Sequence, residues 1–87
     1  MRIDKYLKVA RVLKRREIGK QLALNERLYV NDKPVKPSKE IEPGDIIKIV
    51  FGTRILVIRV LEVRESASKQ QAFAMYEVVD QQIKEEV

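Results

Sequence analysis

The 87-residue sequence contains no cysteine and no histidine, and it has only three glycines. The first absence removes thiol and imidazole nucleophiles, disulfide bonds and Cys/His zinc sites, and it is typical of cytosolic proteins. With so few glycines, a phosphate-binding glycine loop is not expected, and the acidic residues have no spacing typical of a metal site. We therefore expect a protein that is not an enzyme and that uses no cofactor and no metal.

Long apolar runs are also absent. The longest are a few residues, too short to span a membrane, and the charged N-terminal segment lacks the apolar stretch of a signal peptide. The sequence thus predicts a cytoplasmic protein without a membrane partner. Because 45% of the residues are apolar in a chain of 10.2 kDa, there is material for one domain with a small core.

Positive charge is what the sequence has in excess, and it is concentrated at one end. The chain carries 18 basic and 13 acidic residues, a net charge of +5. Residues 1–40 hold twelve basic and five acidic residues, a net of +7, whereas residues 41–87 have a net of −2. This segregation is typical of a protein that binds a polyanion with one part of its surface.

Helical spacing of apolar residues dominates the N-terminal part. Ile3, Tyr6 and Leu7 belong to one apolar arc, which predicts a first helix over residues 2–13 with its basic residues on the opposite arc. A second helix is predicted over residues 15–24, burying Ile18 and Leu22. Gly19 lowers the stability of that helix, so we interpret it as a point where another element approaches closely.

After Asn25 the apolar spacing changes to two, which predicts strands. Asn31-Asp32 indicates a two-residue hairpin turn, and Pro43-Gly44 indicates a type II turn. The remaining segments are expected to be strands over 46–51, 54–63 and 73–79, a polar loop over 65–71 and a polar tail over 80–87, with Ile47, Ile49, Phe51, Leu56, Ile58, Val60, Phe73 and Met75 in the core.

Together these elements predict an α+β fold, with two N-terminal helices packed on a small antiparallel sheet. Residues 1–79 are expected to form a single domain. We expect that domain to bind RNA, since the basic residues of the two helices can form one positive surface that the hairpin extends. We expect the following side chains to contact RNA: Arg2, Lys5, Lys8, Arg11, Lys14, Arg15, Arg16 and Lys20 on the helices, and Arg27, Lys33 and Lys36 along the hairpin.

Recognition of structured RNA by shape and phosphate contacts fits this surface better than reading of bases in a duplex, because amide side chains are sparse on the basic arc. Tyr6 is expected to pack in the core, which leaves Tyr29 as the better candidate for base stacking. Two alternatives to RNA binding remain open. In the first, the basic face is ordinary solvated helix surface. In the second, it belongs to a protein-interaction module with an acidic partner.

The order of several short motifs resembles a known family. Residues 2–7 resemble the "RLDKxL" opening of the RNA-binding domain named after small-subunit ribosomal protein S-four, the alpha-L motif, and residues 43–47 resemble its closing "GD-x-I". Between them, the family's "SR–A–L–V–VNG" stretch is matched by Arg15-Arg16, Gly19, Leu22, Leu28, Val30 and Asn31. The resemblance covers residues 1–51.

Three positions depart from the family pattern. Arg15 replaces the serine that usually begins helix two, Glu26 replaces the glycine after that helix, and Asp32 replaces the hairpin glycine. We expect Asn25 to take over the left-handed turn after the helix. The resemblance implies that the family's hallmark arginine is Arg16, and that Arg2 acts beside an orienting Asp4.

The whole chain is similar to the stand-alone members of this family, the fifteen-kilodalton ribosome-associated heat-shock protein group and the short RqcP branch. The acidic ending of the sequence favours the short branch. The resemblance implies binding to large ribosomal subunits obstructed by peptidyl-tRNA, with contacts to large-subunit rRNA and to the peptidyl-tRNA. It also implies support of C-terminal tailing of stalled nascent chains beside the tailing factor RqcH. A monomer is the simplest expectation for a protein that lies against RNA.

The resemblance leaves two other interpretations: a generic structured-RNA or rRNA-maturation binding protein, and the protein-interaction module.

Overall fold

Two helices precede a five-stranded antiparallel sheet in the computed structural model, which describes residues 1–83. The strand order is β2-β1-β3-β4-β5, and every neighbouring pair is antiparallel. The predicted α+β fold is confirmed. The elements are α1 (Ile3–Val9), α2 (Arg16–Leu24), β1 (Leu28–Val30), β2 (Lys33–Pro34), β3 (Ile46–Phe51), β4 (Arg54–Val60), α3 (Lys69–Phe73) and β5 (Tyr76–Ile83).

The core lies between α1 and the middle of the sheet. Alternation along β3 and β4 buries Ile47, Ile49 and Ile58 on one face. The predicted core position of Tyr6 is confirmed, because the ring is fully buried and its hydroxyl donates a hydrogen bond of 2.7 Å to the Met75 carbonyl. Burial, with smaller contributions from nearby Tyr76 and Glu62, raises the pKa of the phenol well above its ordinary value. The hydroxyl therefore stays protonated and keeps donating.

The first helix is shorter than its apolar pattern predicts, because a left-handed residue stops it. Arg11 has φ 60°; its N–H donates to the Lys8 carbonyl, and the N–H of Val12 donates to the Leu7 carbonyl. These two bonds make a Schellman motif, in which glycine is the usual left-handed residue. Leu13 is still buried, so it continues the apolar arc from outside the helix.

The second helix ends in the same way. Glu26 takes the left-handed conformation at φ 57°, while Asn25 has φ −98° and donates its side-chain amide to the Gln21 carbonyl at 2.8 Å. The expectation that Asn25 would make the left-handed turn is therefore wrong. The N–H of Arg27 donates to the Leu22 carbonyl and closes a second Schellman motif.

Both predicted turns are present. Asn31 and Asp32 have φ 51° and 70°, the values of a type I′ hairpin turn between β1 and β2. At the second turn Gly44 has φ 96°, and the N–H of Asp45 donates to the Glu42 carbonyl, as in a type II turn. The hairpin turn pairs β1 with β2, and its Asn31 N–H donates to the Ile46 carbonyl at the start of β3, which pairs with β1.

The C-terminal part differs most from the sequence predictions. The strand expected over 54–63 ends at Val60, and the expected loop contains α3, which begins with a capping box between Ser68 and Gln71. Phe73, expected in a strand and in the core, lies in that helix with 68% of its surface exposed.

The last strand, β5, begins at Tyr76 and continues to Ile83, where a polar tail was expected. Backbone hydrogen bonding to β4 holds these residues in the sheet despite their polar side chains. The rest of that expected tail, residues 84–87, lies outside the described residues. Within residues 1–83, no helix is long and apolar enough to cross a membrane.

Candidate nucleic-acid interface

A buried carboxylate joins two arginines at the start of the helix pair. Asp4 is in the first turn of α1, and its side chain is 3% exposed. Its carboxylate accepts from Arg2 Nη2 at 3.1 Å and pairs with Arg16 Nε at 3.3 Å, and it also accepts the N–H of Lys5 at 2.8 Å. The two arginine side chains are each 45% exposed, so both are accessible from solvent while they are held by Asp4. We call Arg2 and Arg16, as held by the Asp4 carboxylate, the arginine pair.

The arginine pair depends on a close approach of the two helices at Gly19. A Cβ atom on Gly19 would lie 3.3 Å from Leu13 Cδ1 and 3.4 Å from Asp4 Cα. The contact with Leu13 is tighter than nine in ten contacts that real Cβ atoms make, and the one with Asp4 is at the short limit of ordinary van der Waals contact. The interpretation of Gly19 as a point of close approach agrees with this geometry, which brings Arg16 on α2 within reach of Asp4 on α1.

Three other predicted cations lie together beside the segment that follows β4. Lys8, Arg11 and Lys14 line a groove of about 420 Å³ with Glu65, Ser66 and Ala67. One guanidinium nitrogen of Arg11 approaches the Ala67 carbonyl at 3.5 Å. We call this the upper groove.

Lys5 is paired with a carboxylate of its own, whereas Arg2 and Arg16 share that of Asp4. The Lys5 ammonium is ion-paired with Glu65, sixty residues further along the chain. The hydrogen bond from Lys5, and then its charge, hold the pKa of the Glu65 carboxyl below its ordinary value. The pair is therefore intact at neutral pH. No local sequence pattern indicates this contact.

A second groove lies between α2 and the β3–β4 turn. Lys14, Arg15 and Arg27 line it together with Ile18 and Leu22. The prediction that Ile18 is buried is wrong, since 40% of its surface is exposed, while Leu22 is half-buried. We call this the lower groove; Lys14 borders both grooves.

Three predicted cations are not part of these clusters. Lys20 is exposed on α2, one turn after Arg16 and on the same side of the helix. Lys33 and Lys36 are exposed at the β1–β2 hairpin, on the edge strand and just after it. The ring of Tyr29, the candidate stacking platform, is half-buried and lies under the Lys48 ammonium at 4.4 Å from the ring centroid.

The basic side chains of this surface can bind an anion by charge and hydrogen bonding. Within residues 1–83 there is no group of three or more acidic, cysteine or histidine residues that could hold a metal ion. Guanidinium groups held by a carboxylate present a planar fork of donors, which matches the geometry of phosphate oxygens. The interface is thus suited to recognising a phosphate backbone.

A comparison with protein-family models matches the S4 domain to residues 1–47, more than half of the chain. The chain belongs to the S4-domain family. The match contains the whole arginine pair, both grooves' helical residues and the type II turn.

Two curated relatives resemble this S4-domain chain over nearly its full length. The RQC P-site tRNA stabilizing factor of Streptococcus pneumoniae is 41% identical over 81 residues, covering 93% of this chain and 92% of that protein. The factor of the same name from Bacillus subtilis is 34% identical over 82 residues and covers 94% and 95%.

A solved structure extends the similarity to the fold. The trimeric structure of Vibrio cholerae Heat Shock Protein 15 superposes with a TM-score of 0.83 at 25% identity, covering 91% of this chain and 81% of that one. This similarity includes the C-terminal strands that the family model leaves out. Our expectation of a monomer stays a prediction, because the trimer describes the Vibrio protein.

Proposed function

We propose that this S4-domain protein is an RNA-binding ribosome quality-control factor that binds large ribosomal subunits obstructed by peptidyl-tRNA. It contacts rRNA and the peptidyl-site tRNA and holds that tRNA in position. The observation that carries the proposal is the arginine pair, in which one buried carboxylate fixes two half-exposed guanidinium groups. The full-length similarity to proteins named RQC P-site tRNA stabilizing factor supports the choice of tRNA.

The mechanism requires position and charge but no bond making. Asp4 fixes part of each guanidinium group, and the remaining donors bind phosphate oxygens bidentately. Lys8, Arg11, Lys14, Arg15 and Lys20 add phosphate contacts with release of counterions. Because the two helices approach closely at Gly19, Arg2 and Arg16 both reach Asp4 and can contact neighbouring parts of one RNA backbone.

This role places the protein in the cytoplasm, on the same particle as the tailing factor RqcH. A tRNA held in the peptidyl site keeps the nascent chain available for C-terminal tailing. The protein supports that reaction without catalysing it. The exposed cations Arg27, Lys33 and Lys36 extend the surface for further rRNA contacts.

Arg16→Ala tests the proposal. We expect about fivefold weaker co-sedimentation with large subunits carrying peptidyl-tRNA, together with reduced tailing, because one charge-assisted phosphate contact is worth about 1 kcal/mol or more. Arg54→Ala, which removes an exposed arginine from β4, is the matched control and should bind as the wild type does. Wild-type binding and tailing by the Arg16 variant would show that the arginine pair is not the tRNA contact.

Purification of the wild-type protein with its bound partners distinguishes the proposed function from the two alternatives. Co-purification of the wild-type protein with obstructed large subunits at moderate salt supports the proposal. Recovery with free structured RNA alone indicates a general RNA-binding or rRNA-maturation protein. Recovery with an acidic protein and no RNA indicates a protein-interaction module.

Glu65→Gln is expected to strengthen binding to non-specific RNA by about twofold to threefold. The substitution frees the Lys5 ammonium, which then neutralises one more phosphate. The slope of log affinity against log salt concentration should therefore become steeper by about 0.7 to 0.9. Fluorescence anisotropy with a short duplex RNA over a range of salt concentrations measures both quantities.

Glu77→Gln is the control for that experiment, since Glu77 pairs with Arg59 between β5 and β4 and its loss changes the net charge equally. It should tighten binding less and leave the slope unchanged. Equal slopes in the two variants would mean that Lys5 makes no phosphate contact.

A further inference from the structure

The lower groove combines features that phosphate binding alone does not require. Its floor contains Ile18 and Leu22, which are four residues apart on α2 and therefore lie on one side of the helix. Cations border it: Lys14 and Arg15 just before α2, and Arg27 just after the helix ends. A surface that bound only phosphate would gain nothing from an apolar floor.

The exposure of Ile18 is the unusual part of this groove. Its spacing from Leu22 places it on the apolar side of an amphipathic helix, where burial is expected, yet 40% of its surface is exposed. The β3–β4 turn at Gly52 borders the groove without covering the side chain. Within residues 1–83, the apolar floor is thus open to an incoming ligand.

The size and charge of the groove narrow the choice of ligand. It is a wide, open depression of about 800 Å³, which can receive a group that protrudes from a larger molecule but does not enclose a whole ligand. Three cations and the single carboxylate of Glu17 line it, which favours an anion. A ligand with a flat apolar part and an attached negative charge satisfies the floor and the border together.

We propose that the lower groove binds one unpaired nucleotide of the RNA, with its base against Ile18 and its phosphates on Lys14, Arg15 and Arg27. The inference rests on the proposed function and adds the chemical class of the ligand that the lower groove binds. Bases in a paired stem are stacked and cannot enter, whereas bulged and loop bases are free to pack against apolar groups and guanidinium planes. Gln21, also in the lining, presents an amide that can pair with a base edge.

The test compares two RNA stems by fluorescence anisotropy, identical except that one carries a single bulged nucleotide. Wild-type protein should prefer the bulged stem. Ile18→Ser should reduce that preference by about threefold to tenfold, as expected when a base loses its packing surface, while duplex affinity and salt slope stay unchanged. Ile18→Tyr, which supplies a stacking ring, should increase the preference.

Leu24→Ser is the matched control, because Leu24 is also exposed on α2 and does not line the lower groove. It should bind both stems as the wild type does.

A wild-type protein that binds both stems equally, or an Ile18→Ser variant with unchanged preference, would overturn the inference while leaving RNA binding established. If the wild type binds neither stem nor obstructed subunits, the proposed function itself fails. Ile18-dependent binding of oligoglutamate without preference for the bulge would identify a peptide site instead.

Discussion

Asp4→Asn is expected to weaken binding to obstructed large subunits by about tenfold, although it raises the net charge of the chain from +5 to +6. The carboxylate accepts from Arg2 and pairs with Arg16, and the neutral amide cannot hold both guanidinium groups. Each arginine then has to be ordered when RNA binds, which costs side-chain entropy of about 0.5 to 1.5 kcal/mol. Losing the orientation of two contacts explains why we expect a larger effect than from Arg16→Ala.

The direction in which the affinity changes distinguishes positioning of the arginines from long-range attraction. Long-range attraction alone predicts tighter binding when a negative charge is removed, whereas positioning predicts weaker binding. Co-sedimentation at several salt concentrations separates the two. Asp32→Asn is the control, because it adds the same charge at an exposed turn position where asparagine tolerates positive φ. If Asp4→Asn binds as tightly as Asp32→Asn does, the carboxylate does not position the arginines.

Gly19→Val is expected to have the largest effect on stability, lowering the free energy of unfolding by about 2 kcal/mol. Even a Cβ would be 3.3 Å from Leu13 Cδ1 and 3.4 Å from Asp4 Cα, and the branched side chain adds atoms where the helices touch. In a domain of this size such a loss corresponds to a fall in Tm of about 10 °C, which calorimetry or thermal circular dichroism measures.

Two variants control for causes other than the helix contact. Gln21→Val places the same β-branched residue at an exposed position of α2, so its small loss of Tm reports helix propensity alone. Gly19→Ala combines a gain in helix propensity with a mild contact and should change Tm little. If Gln21→Val and Gly19→Val lower Tm equally, the close approach at Gly19 does not limit packing.

Local patterns were sufficient to predict the two helices and the two turns of the N-terminal half, but not where α1 ends. Apolar spacing placed α1 and α2, the Asn31-Asp32 pair indicated the hairpin, and Pro43-Gly44 indicated the second turn. Each of these signals acts between residues close in the chain, so it does not depend on tertiary contacts. The end of α1 was missed because Arg11 adopts a conformation that its residue type disfavours.

The C-terminal half was predicted less well, because its composition outweighed one local signal and its last strand depends on long-range pairing. The capping box of Ser68 and Gln71 is a local signal for α3, but the polar composition around it favoured a loop. The polar residues of β5 stay in the sheet because they pair with β4, which is a long-range contact. Within the interface, Asp4 came from the family resemblance, whereas the Lys5–Glu65 ion pair has no sequence signal.

The left-handed residues that end the two helices imply a trade-off between stability and charge. Arg11 and Glu26 occupy positions where glycine avoids a backbone strain of about 1 kcal/mol each, a noticeable share of the small net stability of a single domain. A glycine at position 11 would relax the turn but leave the upper groove without one of its three cations. The strained turn thus carries a cation of the upper groove, and under the proposed function Arg11→Gly is expected to give a more stable protein that binds RNA more weakly.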